Sequence, residues 1–486
     1  MGPTIAGISY LGFALFVSLL IIPKKEECKW KYRAVLYWIV MSFLFFLIPY
    51  KPVVLFLSAV VLLILKPRSD LDCILFYIVV FPSVPLAFFY KIPFPGINYL
   101  IDVDFQIIAP VVVLISGFVF SKPKNQVPEW PVFLYILLIV AVSLYKLPLT
   151  SSLRYGVGLF LMYFLPFLAL ARAPVKFEDL VKFFDALLTL AIILGCIAIV
   201  FQLTKWNIYG YFYTESKIWK FQEYRYGLLR VSASVTSTSL AFLASCGIVA
   251  MSVTKSFADS SKILRLALLG VFSLTILFSM ARGGWLAAIV MLSFYRLLIS
   301  HKSNSAIALV LLSASVLCVI FLQSTQLNEV DPYGTFEYRR ELYKAAILEF
   351  YNNPFFGDIN FKTSGNFDHL IQGEGIIDIV SVYLEVLLSY GVFGFSMIFG
   401  AYLFVLFKLF RIRGEGLNDI DGGANKIVSA TISIIISYLI MIGTISEVGF
   451  VGTIGYILLG IGYSVVREIE GGASTLAESR GPVPKI

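Results

Sequence analysis

The stretch GEGIIDIVSVYLEVLLSYGVFGFSMIFGAYLFVLFKLF, Gly373–Phe410, joins a short polar lead to a long apolar run. The run from Ser381 to Phe410 is about 30 residues, roughly 45 Å as a helix. A bilayer's hydrocarbon core is about 30 Å thick, so this helix must tilt, protrude or break, with Gly391 and Gly394 as the expected break points. Around its start lies the longest polar interval of the chain, about Leu327 to Phe395. It carries Asp331, Tyr338-Arg339-Arg340, Asn353-Pro354, Gly357, His369, Gly373-Glu374-Gly375 and Asp378.

The rest of the chain repeats the apolar theme. It is 59% hydrophobic and 14% charged, with a mean hydropathy of +0.87, against about 25% charged residues in soluble domains. Apolar runs of membrane length recur, which predicts an all-α, polytopic integral membrane protein. About fifteen spans are expected: 4–22, 34–48, 52–65, 73–90, 106–120, 131–145, 156–171, 183–203, 238–254, 264–280, 284–300, 306–323, 381–410, 427–444 and 448–466. They form a single membrane domain over 1–466, with extracytoplasmic loops at about 204–237 and 324–380. Residues 467–486 read as a disordered cytoplasmic tail. The segment Val175–Ala186 reads as an interfacial amphipathic helix. The first apolar run lacks the basic start of a cleavable leader.

Lysine and arginine in short loops set the orientation. The first loop holds Lys24, Lys25, Lys29, Lys31 and Arg33. Strict alternation from there places 24 of the 38 basic residues on the cytoplasmic side. The net charge of +8 therefore belongs to membrane loops, and no nucleic-acid partner is expected. The five cysteines sit mostly in apolar runs and read as small core residues. With two histidines and neither CxxC nor HExxH, no metal site and no cofactor are expected.

The positive-inside rule leaves a few arginines outside: Arg154, Arg225, Arg230, Arg282, Arg339 and Arg340. Arg282 follows a span with almost no loop, in Ser279-Met280-Ala281-Arg282-Gly283-Gly284. It lies near the level of a lipid phosphate, where it either snorkels or pairs with an anion. Tyr224-Arg225-Tyr226-Gly227-Leu228-Leu229-Arg230 sets two arginines just before the next span, within a loop rich in aromatics. Guanidinium binds phosphate oxygens two at a time and keeps its charge. A helix is expected from about Phe336 to Tyr351, stopped by Asn353-Pro354. Its 3.6-residue period puts Arg339 on the face of Leu342, Tyr343, Ala346, Ile347 and Phe350, and Arg340 on the wet side. Asp378 is either a helix cap or a carboxylate whose pKa is raised at the mouth of a membrane cavity.

At these residues the chain resembles the bacterial O-antigen polymerase and ligase family (Wzy-like and WaaL-like). The resemblance covers roughly Tyr224 to Gly394. Its pieces are Arg225 and Arg230 before a span, Ser279–Gly283, Tyr338-Arg339, Asn353-Pro354-Phe355-Phe356-Gly357, Val380-Ser381-Val382-Tyr383-Leu384 and Tyr390-Gly391-Val392-Phe393-Gly394. Pro93–Leu100 is similar to exopolysaccharide polymerases of this group.

The resemblance implies a GT-C-like, metal-independent inverting glycosyltransferase in the bacterial inner membrane, its active site facing the periplasm. Its donor is an undecaprenyl-diphosphate-linked oligosaccharide and its product a growing polysaccharide chain. Membrane lipid, a chain-length regulator and a flippase are the partners it implies. Many ligases carry a His-Asn pair where this chain has Val380 and Ser381, so a histidine base there is ruled out and the polymerase branch is favoured. The diphosphate and substrate are then assigned to Arg230, Arg225, Arg282, Arg339, Tyr338 and Tyr383. The catalytic set is Arg282, Arg339 and a carboxylate base, Asp378 or Glu374, with His369 behind them. The alternatives are an O-antigen ligase acting on lipid A core and a lipid-linked sugar flippase; most spans are charge-free, which speaks against a transporter.

Overall fold

A computed structural model describes residues 3–21, 29–48, 50–96, 98–118, 129–206, 209, 223–225, 227–254, 261–300, 335–372, 375–414, 422–447 and 449–479. In chain order the helices are α1 (Pro3–Ile21), α2 (Lys29–Leu47), α3 (Lys51–Leu65), α4 (Asp70–Val80), α5 (Phe105–Phe118), α6 (Trp130–Lys146), α7 (Leu149–Ala171), α8 (Leu180–Thr204), α9 (Ser237–Val253), α10 (Lys262–Phe278), α11 (Arg282–Ile299), α12 (Thr335–Asn352), α13 (Val382–Gly414), α14 (Gly422–Ile442) and α15 (Val451–Ser479). Two small antiparallel hairpins complete the described residues: β1 (Phe89–Lys91) with β2 (Asp102–Asp104), and β3 (Tyr224–Arg225) with β4 (Leu228–Leu229). The protein is an all-α, multi-pass membrane protein. Among the described residues six helical stretches are long and apolar enough to cross a membrane, and shorter apolar helices stand beside them. The expected span 306–323 lies outside the described residues.

Three expectations are corrected. The span 73–90 stops as a helix at Val80, because Pro82 and Pro85 cannot continue one; the chain then turns into the β1–β2 hairpin. Val175–Ala186 is no interfacial helix. A 3-10 turn at Phe177–Asp179 leads straight into α8, whose Phe183 and Phe184 are buried. Asp185 enters the interior because it pairs with the buried Lys31 of α2, which offsets the cost of burying either charge alone. Finally, α15 runs past 466 to Ser479, and Arg467 donates to the carbonyls of Ala171 and Ala173; residues 480–486 lie outside the described set.

Of the outcomes its length left open, α13 takes the break, and takes it at Gly391. Gly391 adopts φ 62°, ψ −167°, a conformation essentially restricted to glycine. The break exposes backbone, and the turn Asn353–Gly357 docks on it. Asp358 N donates to Leu388 O at 2.8 Å and Val392 N to Pro354 O at 2.9 Å. A Cβ at Gly357 would lie 2.5 Å from Leu388 O, and one at Gly391 2.5 Å from Phe356 N. These two glycines let the polar loop and the membrane helix meet backbone to backbone. A satellite core of Leu342, Ala346, Phe361, Phe367, Ile379 and Leu388 then holds α12 over the start of α13.

Loop contacts fall into two sets, as the alternation of basic loops requires. One set joins Lys146 to Asp358, Gln106 to Gly449, and Arg154 to Tyr99 and Leu100. The other joins Arg33 to Lys66, Arg172 to Glu129, Lys408 to Glu470 and Arg413 to Leu298. Arg154 is thereby a structural clamp, stacked 4.0 Å from the Tyr99 ring.

Candidate active site

The short turn between α14 and α15, Gly443–Phe450, gathers the predicted residues. Arg339 Nη2 donates to Thr444 O at 3.3 Å. Ser446 Oγ donates to Asp378 Oδ1. Asp378 is held from behind by Tyr338, whose hydroxyl donates to Asp378 O at 2.9 Å and accepts from Asp378 N at 3.0 Å. Gly283, next to Arg282, packs directly on the Thr444 side chain, leaving no room for a Cβ. Arg282 itself opens α11 and is exposed.

The second pair of arginines stands beside the Arg282 step, where Arg225 meets Met280. Arg225 Nη1 donates to Met280 O at 3.3 Å, and Val231 N donates to Phe278 O at 3.0 Å. Met280 holds φ 47°, which is rare for a non-glycine residue and costs about 1–3 kcal/mol. That strain aims the Ala281-Arg282 step at the turn. Glu223 bridges the pair, 2.8 Å from Arg225 and 2.7 Å from Arg230. Burial pushes the Glu223 carboxyl up, but the Arg230 and Arg225 guanidiniums outweigh it and hold it below its ordinary value. Two guanidiniums thus share one carboxylate, and the excess charge of that group is positive.

The other predicted residues stand apart. Arg340 lies on the exposed face of α12, paired with Glu337 and Glu341. His369 is exposed in a 3-10 turn. Tyr383 packs on Phe395 and Phe399 and donates to Leu439 O, which makes it a support for the end of α14. Glu374 lies outside the described residues.

A cavity of about 60 Å³ reaches the same turn at Glu447, between α6, α7, α13, α14 and α15. Tyrosines from all five helices line it, and Glu447 of the turn looks into it. Water reaches the Glu447 carboxylate, yet protein surrounds it. Burial, with repulsion from Glu385 second and Lys362 opposing, pushes its pKa up to about 7. Glu447 and Glu223 escape a reading of the sequence that concentrates on the two long loops. The available signal was a carboxylate without a basic neighbour, Ser446-Glu447-Val448, between two apolar runs on the arginine side.

Residues 266–399 match the O-antigen ligase family model, Wzy_C. The matched Wzy/WaaL-like stretch runs from α10 through the Arg282 turn, α11 and α12 to just past the Gly391 break. It covers about a quarter of the chain and includes Arg282, Arg339, Asp378 and the docked Asn353–Gly357 turn. Arg225, Arg230 and Glu447 lie beyond it. No curated protein matches the chain significantly. The Wzy_C match and the apolar helices together support a membrane-embedded enzyme of the O-antigen ligase and polymerase type.

Proposed function

We propose that the protein is a polysaccharide polymerase of the bacterial inner membrane. It transfers an oligosaccharide from undecaprenyl diphosphate to a sugar hydroxyl of another lipid-linked repeat unit, with inversion and without metal, at the periplasmic face. The observation that carries this reading is a chain of contacts: Arg339 bonds Thr444 of the turn, Gly283 beside Arg282 packs on Thr444, and Arg225, which shares Glu223 with Arg230, bonds Met280 two residues before Arg282. Breaking the sugar–phosphate bond builds negative charge on the leaving diphosphate. Preorganised donors at developing charge are commonly the largest catalytic contribution, about 10²–10³-fold for each one removed. Asp378 bonds Ser446 on the same turn whose Thr444 carbonyl accepts from Arg339, and it orients the acceptor side through Ser446. Val380 and Ser381, standing where many ligases have His-Asn, favour a polymerase over a ligase.

Purified protein incubated with the lipid-linked repeat unit isolated from a strain lacking this polymerase should produce a ladder of chain lengths without added metal. Arg282→Ala and Arg339→Ala should each suppress it while accumulating normally in membranes; a wild-type ladder from both contradicts the assignment. The description of the matched family favours a second reading, an O-antigen ligase acting on lipid A core. A deletion strain separates the two: a polymerase loss leaves single repeat units, whereas a ligase loss leaves full-length chains unattached. Chain-length regulators and a flippase are the proposed partners of the polymerase.

A further inference from the structure

Resting on the polymerase reading, we propose that the tyrosine-walled cavity behind the Gly443–Phe450 turn is the acceptor subsite. It admits one neutral sugar of the acceptor glycan and sets a hydroxyl against the Glu447 carboxylate, which takes the proton.

Two departures from regular helix and one missing side chain shape this cavity. α7 contains a π-helical turn, Phe160–Phe164, which re-aims Tyr163; such turns concentrate at functional sites. The left-handed break at Gly391 follows directly on Tyr390. In α15, Gly452 leaves out a side chain where the wall needs depth. A Cβ there would lie 2.9 Å from Tyr163 Cζ and 3.0 Å from Glu447 Oε1, which also places that carboxylate beside the Tyr163 ring.

The lining mixes tyrosines and one carboxylate with aliphatic side chains, as an amphipathic sugar ring requires. Tyr163 and Tyr456 stack at 5.1 Å, and the hydroxyls of Tyr155 and Tyr390 meet at 2.5 Å. Aromatic faces cover the apolar C–H side of a pyranose while hydroxyls and a carboxylate meet its rim. The volume corresponds to about four to six waters, the scale of one ring and not of an oligosaccharide. No cation lines it among the described residues; the nearby Lys362 is paired with Glu385 at 2.9 Å. An anionic sugar therefore finds no partner.

The position completes the reaction. Glu447 lies three residues from Thr444, whose carbonyl binds Arg339, a path of at most about 11 Å. The turn thus links the acceptor hydroxyl to the diphosphate. The hydroxyl oxygen bonds to the donor's anomeric carbon and its proton passes to Glu447. The anomeric C–O bond breaks, and its electron pair leaves on the diphosphate oxygen. A carboxylate that titrates near neutrality suits this exchange. Asp378 is engaged with Ser446 and Tyr338 instead, and acts as a positioning residue for the turn.

The test follows ladder formation by full-length purified protein across pH 5.5–8.5, a range of about three units around the Glu447 value, with the isolated lipid-linked repeat. Glu447→Gln should slow lengthening by about 10²–10⁴-fold and abolish the fall in rate below about pH 7. Glu447→Asp should retain part of the rate with the acid limb moved lower, and Tyr163→Phe should lose about 2–10-fold at limiting substrate. A Glu447→Gln protein that matches wild type at every pH overturns the inference and leaves the polymerase reading standing. Wild type that forms no ladder overturns both. Should the glutamine variant not accumulate, unchanged pH profiles and rates in Glu447→Asp and Tyr163→Phe overturn the inference equally.

Discussion

The two sides of the Gly443–Phe450 turn are built from opposite materials. On one side lie guanidiniums and their carboxylate partners, brought in by a loop helix, a hairpin and a strained turn. On the other lie tyrosines carried by five membrane helices, with one carboxylate whose proton is loosely held near neutral pH. Fixed positive charge suits a leaving group that gains negative charge. An uncharged, hydroxyl-rich wall suits a nucleophile that must lose a proton. In the proposed reaction the difference teaches that a short turn joins what the two long loops bring in to what the membrane helices enclose.

The arginine side should respond most strongly. Removing Arg282 and Arg339 together should lower lengthening by at least 10²–10³-fold, measured as ladder formation at equal protein levels. A smaller loss would shift the weight to Arg225 and Arg230. On the tyrosine side the rate should fall nearly tenfold per unit as pH drops below about 7, because Glu447 must be ionised to accept a proton. Stability carries the opposite sign. A carboxyl raised from 4.5 to about 7 by the fold favours the protonated native state, so its contribution is full below 4.5 and is lost as pH rises toward 7. Thermal unfolding across that window should flatten in Glu447→Gln.

The scaffold between the two sides gives the next effect. Gly391→Ala forces a side chain into a left-handed position against the Phe355–Phe356 backbone and should cost about 1–3 kcal/mol, read as lowered thermal stability. Arg340→Ala should be nearly silent, within about 0.5 kcal/mol and without loss of rate, because its ion pairs are exposed. A strong defect at Arg340 would blur the distinction between the packed and wet faces of α12.

Apolar periodicity announces the spans, since a membrane helix must satisfy its backbone internally. Fourteen of the fifteen expected runs carry a helix where the structure describes them. The break in α13 was one of three outcomes the helix length left open, and the sequence named Gly391 and Gly394 as its candidate points; only Gly391 takes it. The failure at Val175–Ala186 has a pairwise cause. Asp185 looks like a surface charge until Lys31, distant in sequence, is seen beside it. The same blindness hides Glu223 between its arginines, and it hides the cavity altogether. The chain has 27 tyrosines, and those from five helices that share one wall are indistinguishable in sequence from an interfacial belt.

Binding of sugar-free undecaprenyl diphosphate to the purified full-length protein tests the central claim most directly. Wild type should bind it, and the Arg282→Ala, Arg339→Ala double variant should bind at least about 100-fold more weakly, the loss of two charge-assisted contacts. Equal affinity in the two proteins would contradict the account.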